Sequence, residues 1–186
     1  MSTGPLRTMT EIARTTLHKG KKYDFERITL RTARGTDIHR ECVRHPGAVV
    51  ILPILVKSDG TRSVVFVRNE RFSIGRDLLE LPAGTREPGE DPALTAGREL
   101  IEETGYQAAT LTPLTRFYTT PGMTDELMWA YAASGLSFVG QALEEDEVLV
   151  AEELPVEEAV RRAQAGGFED GKTILTLLLA RARGLI

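Results

Sequence analysis

The stretch Gly84–Tyr106, with the sequence GTREPGEDPALTAGRELIEETGY, contains the clearest helix signal in the chain and many acidic side chains. Asp91 is a good N-cap residue, and Pro92 stands at the first helical position, where proline is tolerated because its missing N–H has no helical partner. Gly105 is suited to end the helix, since glycine adopts the left-handed C-terminal conformation at little cost. The pattern therefore predicts a helix between Asp91 and Gly105.

Three glutamates of this helix fall on one arc of its surface. Glu99, Glu102 and Glu103 are three and four residues apart, and residues at these spacings are neighbours on a helix. Like charges so placed repel each other by about 0.2–0.5 kcal/mol per pair, whereas carboxylate oxygens are the ligands that Mg²⁺ and Mn²⁺ prefer. We expect them opposite the buried face, which is formed by Ala93, Ala96, Gly97, Leu100 and Ile101. A solvated acidic surface is the alternative interpretation of the three glutamates alone.

The wider spacing of the stretch is more specific than the glutamates alone. It reads Gly84, five residues, Glu90, seven residues, and then Arg98-Glu99-Leu100-Ile101-Glu102-Glu103-Thr104-Gly105. This pattern resembles the signature of the Nudix hydrolases, enzymes that split nucleoside diphosphates linked to another group. A chance match to so many fixed positions is improbable. Tyr106 departs from the family, which usually has an aliphatic residue there, but that position is apolar rather than chemical.

The resemblance implies a divalent metal site, with Mg²⁺ or Mn²⁺ as the cofactor and two or three ions. The implied ligands are Glu99, Glu102, Glu103 and the backbone carbonyl of Ala83, with Glu99 and Glu103 central and Glu102 also a catalytic candidate. Metal ions neutralise phosphate oxygens and lower the pKa of an attacking water, which suits cleavage of a diphosphate.

The resemblance also gives Glu90 and Arg98 a role. They are expected to form a structural ion pair that fixes the loop on the helix. The alternative is two unrelated surface charges, which contribute little to stability.

Residues outside this stretch are expected to choose the substrate. The segment Thr119–Glu126, TTPGMTDE, resembles a turn of the ADP-ribose pyrophosphatases, with Pro121 at the subfamily's distance and Glu126 implied to bond ribose hydroxyls. Arg71 matches a position where relatives bind the diphosphate or terminal ribose, and Arg40 matches a second one from the N-terminal strands. Arginine offers the fixed donor fork that such groups require. An ordinary Pro-Gly turn and exposed surface arginines are the alternatives.

A second acidic cluster, Glu144–Glu147, is expected to form a loop. In the ADP-ribose pyrophosphatases a glutamate-rich loop at this place closes over the metals and supplies the catalytic base. The resemblance makes Glu145 the first choice for the base, and Glu147 an additional metal ligand or the base itself. A solvated loop that keeps the protein soluble is the alternative.

The rest of the chain predicts strands and two more helices. Strands are expected at Tyr23–Leu30, Ile38–Arg44, Ala48–Val56, Ser63–Arg68, Leu78–Leu81, Leu111–Tyr118, Glu126–Ala133 and Val148–Glu152, and helices at Pro155–Ala165 and Thr173–Arg183. We expect an α+β fold, the α/β/α sandwich of the Nudix family with a mixed sheet and an N-terminal antiparallel β-arm. Residues 1–44 are expected to form the arm and strands for dimerisation and the adenine site, and residues 45–186 the hydrolase domain.

The amino-acid composition argues against several classes of binding partner. The 186 residues are 41% hydrophobic and 27% charged, which suits one globular domain with an arm. A net charge of −4 argues against nucleic acid or a membrane surface as partner. The single Cys42 cannot form an internal disulfide or a zinc-cysteine cluster. Because the N-terminus lacks the apolar core of a signal peptide, we expect a cytoplasmic protein.

These observations lead to one expected function and two alternatives. The expected function is metal-dependent hydrolysis of the diphosphate of ADP-ribose to AMP and ribose 5-phosphate. By the resemblance, the partner is a second copy of the chain, in a homodimer with exchanged N-terminal strands. Cleavage of GDP-mannose or another nucleotide sugar is an alternative within enzymes. A ligand sensor with a Nudix fold and no turnover is the alternative from another class.

Overall fold

The computed structural model describes residues 8–143 and 149–186. Within these residues the strands are β1 (Met9–Lys19), β2 (Asp24–Thr32), β3 (Asp37–Arg44), β4 (Ala48–Val56), β5 (Arg62–Arg71), β6 (Arg76–Glu80), β7 (Ala83–Thr85), β8 (Tyr106–Tyr118), β9 (Leu127–Phe138) and β10 (Leu149–Pro155). The helices are α1 (Pro92–Thr104), α2 (Val156–Gln164) and α3 (Gly171–Ala182). The chain divides into two compact units, one of Met1–Pro46 with Thr120–Glu126 and one of Gly47–Thr119 with Leu127–Ile186.

The first unit contains a three-stranded antiparallel sheet in the order β1-β2-β3. Strands β2 and β3 confirm the expected hairpin. Strand β1 was not expected, because every residue in it is exposed and it therefore lacks the alternation that marks a half-buried strand. The segment Thr120–Glu126 attaches to β3, since Val43 N donates to the carbonyl of Met123 over 2.8 Å and Asp125 N donates to the carbonyl of Val43 over 3.3 Å.

The second unit is built on a sheet of seven strands. Its main order is β10-β5-β4-β9-β8, with β6 beside β5 and β7 beside β4. Strands β4 and β9 are parallel and the other pairs are antiparallel, so the sheet is mixed, as expected. The predicted bounds of β4 agree with the structure, because a run of apolar residues with both faces buried is a strong local signal.

Strand β4 separates two apolar layers. Val49 and Ile51 pack with Leu100 of α1. Val50 and Leu52 lie in the other layer, together with apolar residues of α2 and α3. Successive side chains of a strand point to opposite faces, so β4 binds helices on both sides of the sheet. This is the expected α/β/α sandwich.

The remaining differences lie at the ends of elements and in one short strand. Strands β8 and β9 are longer than expected. Their additional residues are mostly exposed and have no apolar pattern from which a strand could be predicted. The three residues of β7 were not expected as a strand; they pair with β4 directly after Pro82 and bring the backbone beside α1. Among the described residues, no helix is long and apolar enough to cross a membrane.

Candidate functional site

Helix α1 begins and ends as its sequence predicts. The side chain of Asp91 accepts a hydrogen bond from Ala93 N over 2.8 Å, and Pro92 is the first helical residue. Gly105 has a φ of 76°, and its N–H donates to the carbonyl of Ile101. These caps fix the helix register and therefore the positions of the charged residues of its last two turns.

Two of the three glutamates lie in the buried part of α1, contrary to expectation. Glu99 is 8% exposed and Glu103 is 4% exposed. Ala83 N of β7 donates to Glu103 Oε2 over 2.9 Å. The expectation of three carboxylates opposite the buried face is therefore wrong for these two, because β7 covers the side of the helix next to its apolar face. Glu102 alone remains partly exposed.

Gly84 lies against the carboxylate of Glu99. A Cβ built on Gly84 would lie 1.8 Å from the Glu99 carboxyl carbon and 2.1 and 2.2 Å from its oxygens. No side chain fits in that space, so the backbone of β7 approaches the carboxylate directly. This close approach gives a physical reason for glycine at the first position of the spacing pattern.

Arg98 lies at the centre of the charged group. Its Nη2 lies 3.3 Å from Glu90 Oε2, and its Nη1 lies 2.8 Å from both Glu99 Oε1 and Glu102 Oε2. The hydrogen bond from Arg98 lowers the pKa of Glu90 to about 2. Burial opposes the charge of Arg98, but the three carboxylates raise its pKa. The resemblance to the Nudix signature implied the contact with Glu90, whereas the sharing of Arg98 with two candidate ligands depends on side-chain geometry.

The donor chemistry of this group fits a hard divalent cation. Carboxylate oxygens of Glu99, Glu102 and Glu103 lie on one helix beside the backbone of Ala83, and oxygen is the ligand that Mg²⁺ and Mn²⁺ prefer. Within residues 8–143 and 149–186, no three His, Cys, Asp or Glu side chains are arranged to hold a metal ion as they stand. In this arrangement Arg98 supplies the positive charge beside Glu99 and Glu102.

Comparison with a family model assigns the chain to a known protein family. The model of the NUDIX domain matches residues 44–177, most of the chain and the whole of the spacing pattern. The chain belongs to the Nudix family.

Relatives and a solved structure extend the comparison. An ADP-ribose pyrophosphatase of Bacillus subtilis (strain 168) is 38% identical over 164 residues, 87% of this chain and 86% of that protein. One of Mycobacterium tuberculosis (strain ATCC 25618 / H37Rv) is 38% identical over 174 residues, 92% and 82%. A GDP-mannose pyrophosphatase of Yersinia pestis (strain Pestoides F) is 33% identical over 172 residues, 86% and 83%. The fold resembles that in "Crystal structure of ADP compounds hydrolase", with a TM-score of 0.81, 23% identity and coverage of 96% and 95%.

Outside the stretch Gly84–Tyr106, Arg71 is bound to a buried carboxylate. Its Nε donates to Glu80 Oε1 over 2.7 Å, and Glu80 is 1% exposed. Lys172 pairs with the other oxygen of Glu80 and lies 3.0 Å from Asp170. No local pattern relates Glu80 to Lys172, 92 residues later. A glutamate in the apolar run Leu78–Leu81 is nevertheless a signal that a cation must lie nearby.

Three expected substrate residues lie in the first unit. Arg40 is exposed, and its Nη1 donates to the carbonyl of His39 over 2.9 Å. Pro121 is exposed in the turn closed by Met123 N and the carbonyl of Thr120. Glu126 Oε1 lies 3.4 Å from His45 Nε2. Burial lowers the pKa of His45, although Glu126 acts in the opposite direction.

The first unit also has a basic cavity that the sequence did not indicate. Its volume is about 360 Å³, and it is lined by Lys19, Gly20, Lys21, Lys22, Asp24, Arg44, His45 and Pro46. Arg44 is paired with Asp125 and lies 3.6 Å from Glu26. The cavity is therefore lined by three lysines and by an arginine that is paired with carboxylates, and it suits an anionic or polar group.

The expected base lies elsewhere in the chain. The Glu144–Glu147 loop, with Glu145 and Glu147, lies outside the described residues. Their roles as base and metal ligand stay predictions from the sequence.

Proposed function

We propose that this Nudix protein hydrolyses the diphosphate of ADP-ribose to AMP and ribose 5-phosphate. The observation that carries the proposal is the pair of buried carboxylates, Glu99 and Glu103, which lie against the backbone of β7 within the Nudix spacing pattern of Gly84–Tyr106. Two relatives at 38% identity are ADP-ribose pyrophosphatases, and each is matched over more than four fifths of its length. A small molecule with a diphosphate is therefore the proposed substrate.

Divalent metal is part of this proposal. Nudix ADP-ribose pyrophosphatases are generally dependent on divalent metal. We assign Mg²⁺ or Mn²⁺, as two or three ions, to the oxygens of Glu99, Glu102, Glu103, Glu147 and the carbonyl of Ala83. Such ions neutralise phosphate oxygens and make water a better nucleophile. Arg98 orients two of these carboxylates through the contacts of its Nη1 with Glu99 and Glu102, while its Nε and Nη2 donate to Glu90.

The remaining roles are assigned from the sequence. Glu145 or Glu147 is proposed as the base that takes the proton of the attacking water, with Glu102 as a further catalytic candidate. The proposed substrate contacts are Arg40, Arg71, Pro121 and Glu126. For Arg71, support comes from its anchoring on Glu80: a guanidinium held through Nε and Nη2 keeps a fixed direction and loses less entropy on binding a phosphate.

The first unit is proposed to join two copies of the chain. Strand β1 exposes Met9, Ile12 and Leu17, and β2 exposes Phe25. Apolar side chains exposed along one small sheet favour burial against a partner. We propose a homodimer with exchanged N-terminal strands, in which residues 1–44 serve the adenine site and residues 45–186 the hydrolysis. A cytoplasmic location stays a prediction from the sequence.

GDP-mannose is the second candidate substrate. The 33% identity with the Yersinia pestis GDP-mannose pyrophosphatase favours it, at a lower level than the ADP-ribose relatives. A panel of nucleoside diphosphate derivatives, compared by kcat/KM, distinguishes the two. Absence of turnover on the whole panel, with binding retained, would favour the ligand sensor.

The test of the proposed function is product analysis of ADP-ribose in ¹⁸O-labelled water, combined with the variant Glu103→Gln. Glutamine keeps an oxygen that accepts from Ala83 N but loses the negative charge. We expect AMP and ribose 5-phosphate from the unaltered protein, and about a 100-fold lower kcat/KM from the variant at saturating Mg²⁺. Glu157→Gln on α2, where the glutamate is exposed and paired with Arg181, is the control. Unchanged hydrolysis by Glu103→Gln would overturn the metal assignment.

A further inference from the structure

The loop between β7 and α1 is closed by the side chain of its own first residue. Arg86 N donates to the carbonyl of Gly47 over 3.0 Å. Its guanidinium turns back to the other end of the loop, where Nε donates to the carbonyl of Glu90 over 3.1 Å and Nη2 bonds the same oxygen. Arg86 therefore links the start of the loop, the end of the loop and the residue before β4.

The guanidinium of Arg86 lies over Trp129, the single tryptophan of the chain. Its central carbon is 4.6 Å from the ring centroid, within the range of a cation–π contact. Trp129 is a residue of β9 that pairs with Val49 of β4 and packs against the apolar layer under α1. Its ring is thus held by the sheet.

Gly47 makes room for this arrangement. It has a φ of 95°, and a Cβ built on it would lie 2.6 Å from Cζ3 of Trp129. A side chain at this position would displace the ring on which Arg86 lies. Backbone, ring and guanidinium are therefore packed on one another, which a freely solvated arginine would not require.

The loop is connected to the carboxylates of α1 through Glu90. Arg86 holds the backbone carbonyl of Glu90, and the carboxylate of Glu90 accepts from Glu87 N over 3.0 Å and pairs with Arg98. Arg98 in turn contacts Glu99 and Glu102 through Nη1. A shift of the loop would move Glu90, and Arg98 would follow its partner.

We propose that Arg86, held over Trp129, is a positioning residue that sets the carboxylates of α1 for metal binding. Arg86 itself touches neither metal nor substrate in this scheme; it acts through Glu90 and Arg98. The proposal rests on the proposed function for the role of Glu99 and Glu102 as metal ligands. Its own content is the dependence of those ligands on a contact between the loop and β9.

Conservative and disruptive variants separate positioning from general stability. Arg86→Lys keeps the charge but loses the planar donor fork, and Arg86→Met keeps only the apolar stem. Trp129→Phe keeps a ring face for the cation, whereas Trp129→Leu removes it. Arg161→Met changes an exposed arginine of α2 in the same way and serves as the control.

The main measurement is the dissociation constant of Mn²⁺, from the electron paramagnetic resonance signal of the free ion, with no substrate present. Partners that orient metal ligands typically change metal affinity by about 10- to 100-fold, so we expect about a tenfold weaker affinity for Arg86→Met and Trp129→Leu. Trp129→Phe should recover most of the affinity. Arg161→Met should bind Mn²⁺ as the unaltered protein does, and Tm measured on every variant shows that the folded protein is compared.

A second readout does not depend on metal. Because Arg86 covers one face of Trp129, Arg86→Met should raise the acrylamide quenching constant of the single tryptophan, and Arg161→Met should leave it unchanged. Amide hydrogen exchange of residues 85–91 should become faster in Arg86→Met as the loop loses its closing contact.

The outcomes are separable. A Mn²⁺ affinity within twofold of the unaltered protein in both Arg86 variants overturns the positioning role, even if Tm falls. If the unaltered protein binds no Mn²⁺, the metal assignment of the proposed function fails, and loop exchange decides whether Arg86 positions Glu90. Unchanged exchange and quenching in Arg86→Met overturn the proposal in that case as well.

Discussion

Replacing Gly84 with alanine should inactivate the protein while leaving it folded. The new Cβ would lie 1.8 Å from the carboxyl carbon of Glu99, and heavy atoms essentially never approach a Cβ closer than 3.0 Å. The carboxyl group must therefore move by at least 1.2 Å, the difference between these distances. Glu99 is a long side chain, so it can rotate away, and a shift of this size would disturb its 2.8 Å contact with Arg98.

The two consequences differ in size. Overpacking of this kind costs about 1–3 kcal/mol. The φ of Gly84 is not in the left-handed region, so alanine fits the backbone conformation at this position. Alanine also restricts the unfolded chain, which raises the free energy of unfolding by about 0.4–1 kcal/mol. The free energy of unfolding should fall by about 2.6 kcal/mol at most, the largest cost less the smallest gain. A misplacement of about 1 Å at an active site costs about 100-fold in rate, so kcat/KM for ADP-ribose should fall by about that factor.

Helix α1, which carries Glu99, provides a matched control in Gly97→Ala. A Cβ on Gly97 meets only Leu111 Cδ1, at an ordinary contact distance of 3.8 Å. This variant should gain about 0.5–1 kcal/mol of stability, because glycine is unfavourable inside a helix, and should keep full activity. Urea unfolding and steady-state assays at saturating Mg²⁺ measure both quantities. Activity of Gly84→Ala within tenfold of the unaltered protein, or an equal loss in Gly97→Ala, would refute the reasoning.

The remaining predictions concern stability and its dependence on pH. Burial alone would raise the pKa of Glu80, but hydrogen bonds from Arg71 and Lys172 lower it below 4.5. The ionised carboxylate therefore stabilises the fold at neutral pH. This stabilisation is lost as the pH falls through the folded-state pKa. In urea unfolding, Glu80→Gln should cost about 3 kcal/mol at pH 7, and its gap from the unaltered protein should narrow below pH 4.5; an equal gap at pH 3 would contradict this. Asp91→Ala should cost about 1 kcal/mol through loss of the cap on Ala93 N, and an unchanged unfolding midpoint would count against that role.

Local sequence patterns were sufficient to predict helix α1 and strand β4. Helix α1 was placed from Asp91 to Gly105 because capping and residue spacing act within one helix. Strand β4 was predicted at Ala48–Val56 because nine consecutive apolar residues indicate a strand whose two faces are buried. Strand β1 was missed, since an exposed strand is specified by pairing with β2 rather than by its own residues.

Side-chain partners far apart in the chain were not accessible in this way. Glu80 of β6 pairs with Lys172 of α3 across 92 residues, and Arg86 of the loop after β7 lies over Trp129 of β9. Each contact depends on which helix, strand or loop packs beside another, and that packing is a property of the whole fold. No local rule relates such residues.

The sequence by itself determined the helix and the order of its charges, because spacing on a helix follows from its geometry alone. The hydrolase class followed from the resemblance of that order to the Nudix signature. The tertiary structure decided which of the charges are buried. Strand β7 pairs with β4 and so covers Glu99 and Glu103, leaving Glu102 partly exposed. Burial arises from the packing of distant segments, and it is what gives otherwise similar glutamates different surroundings.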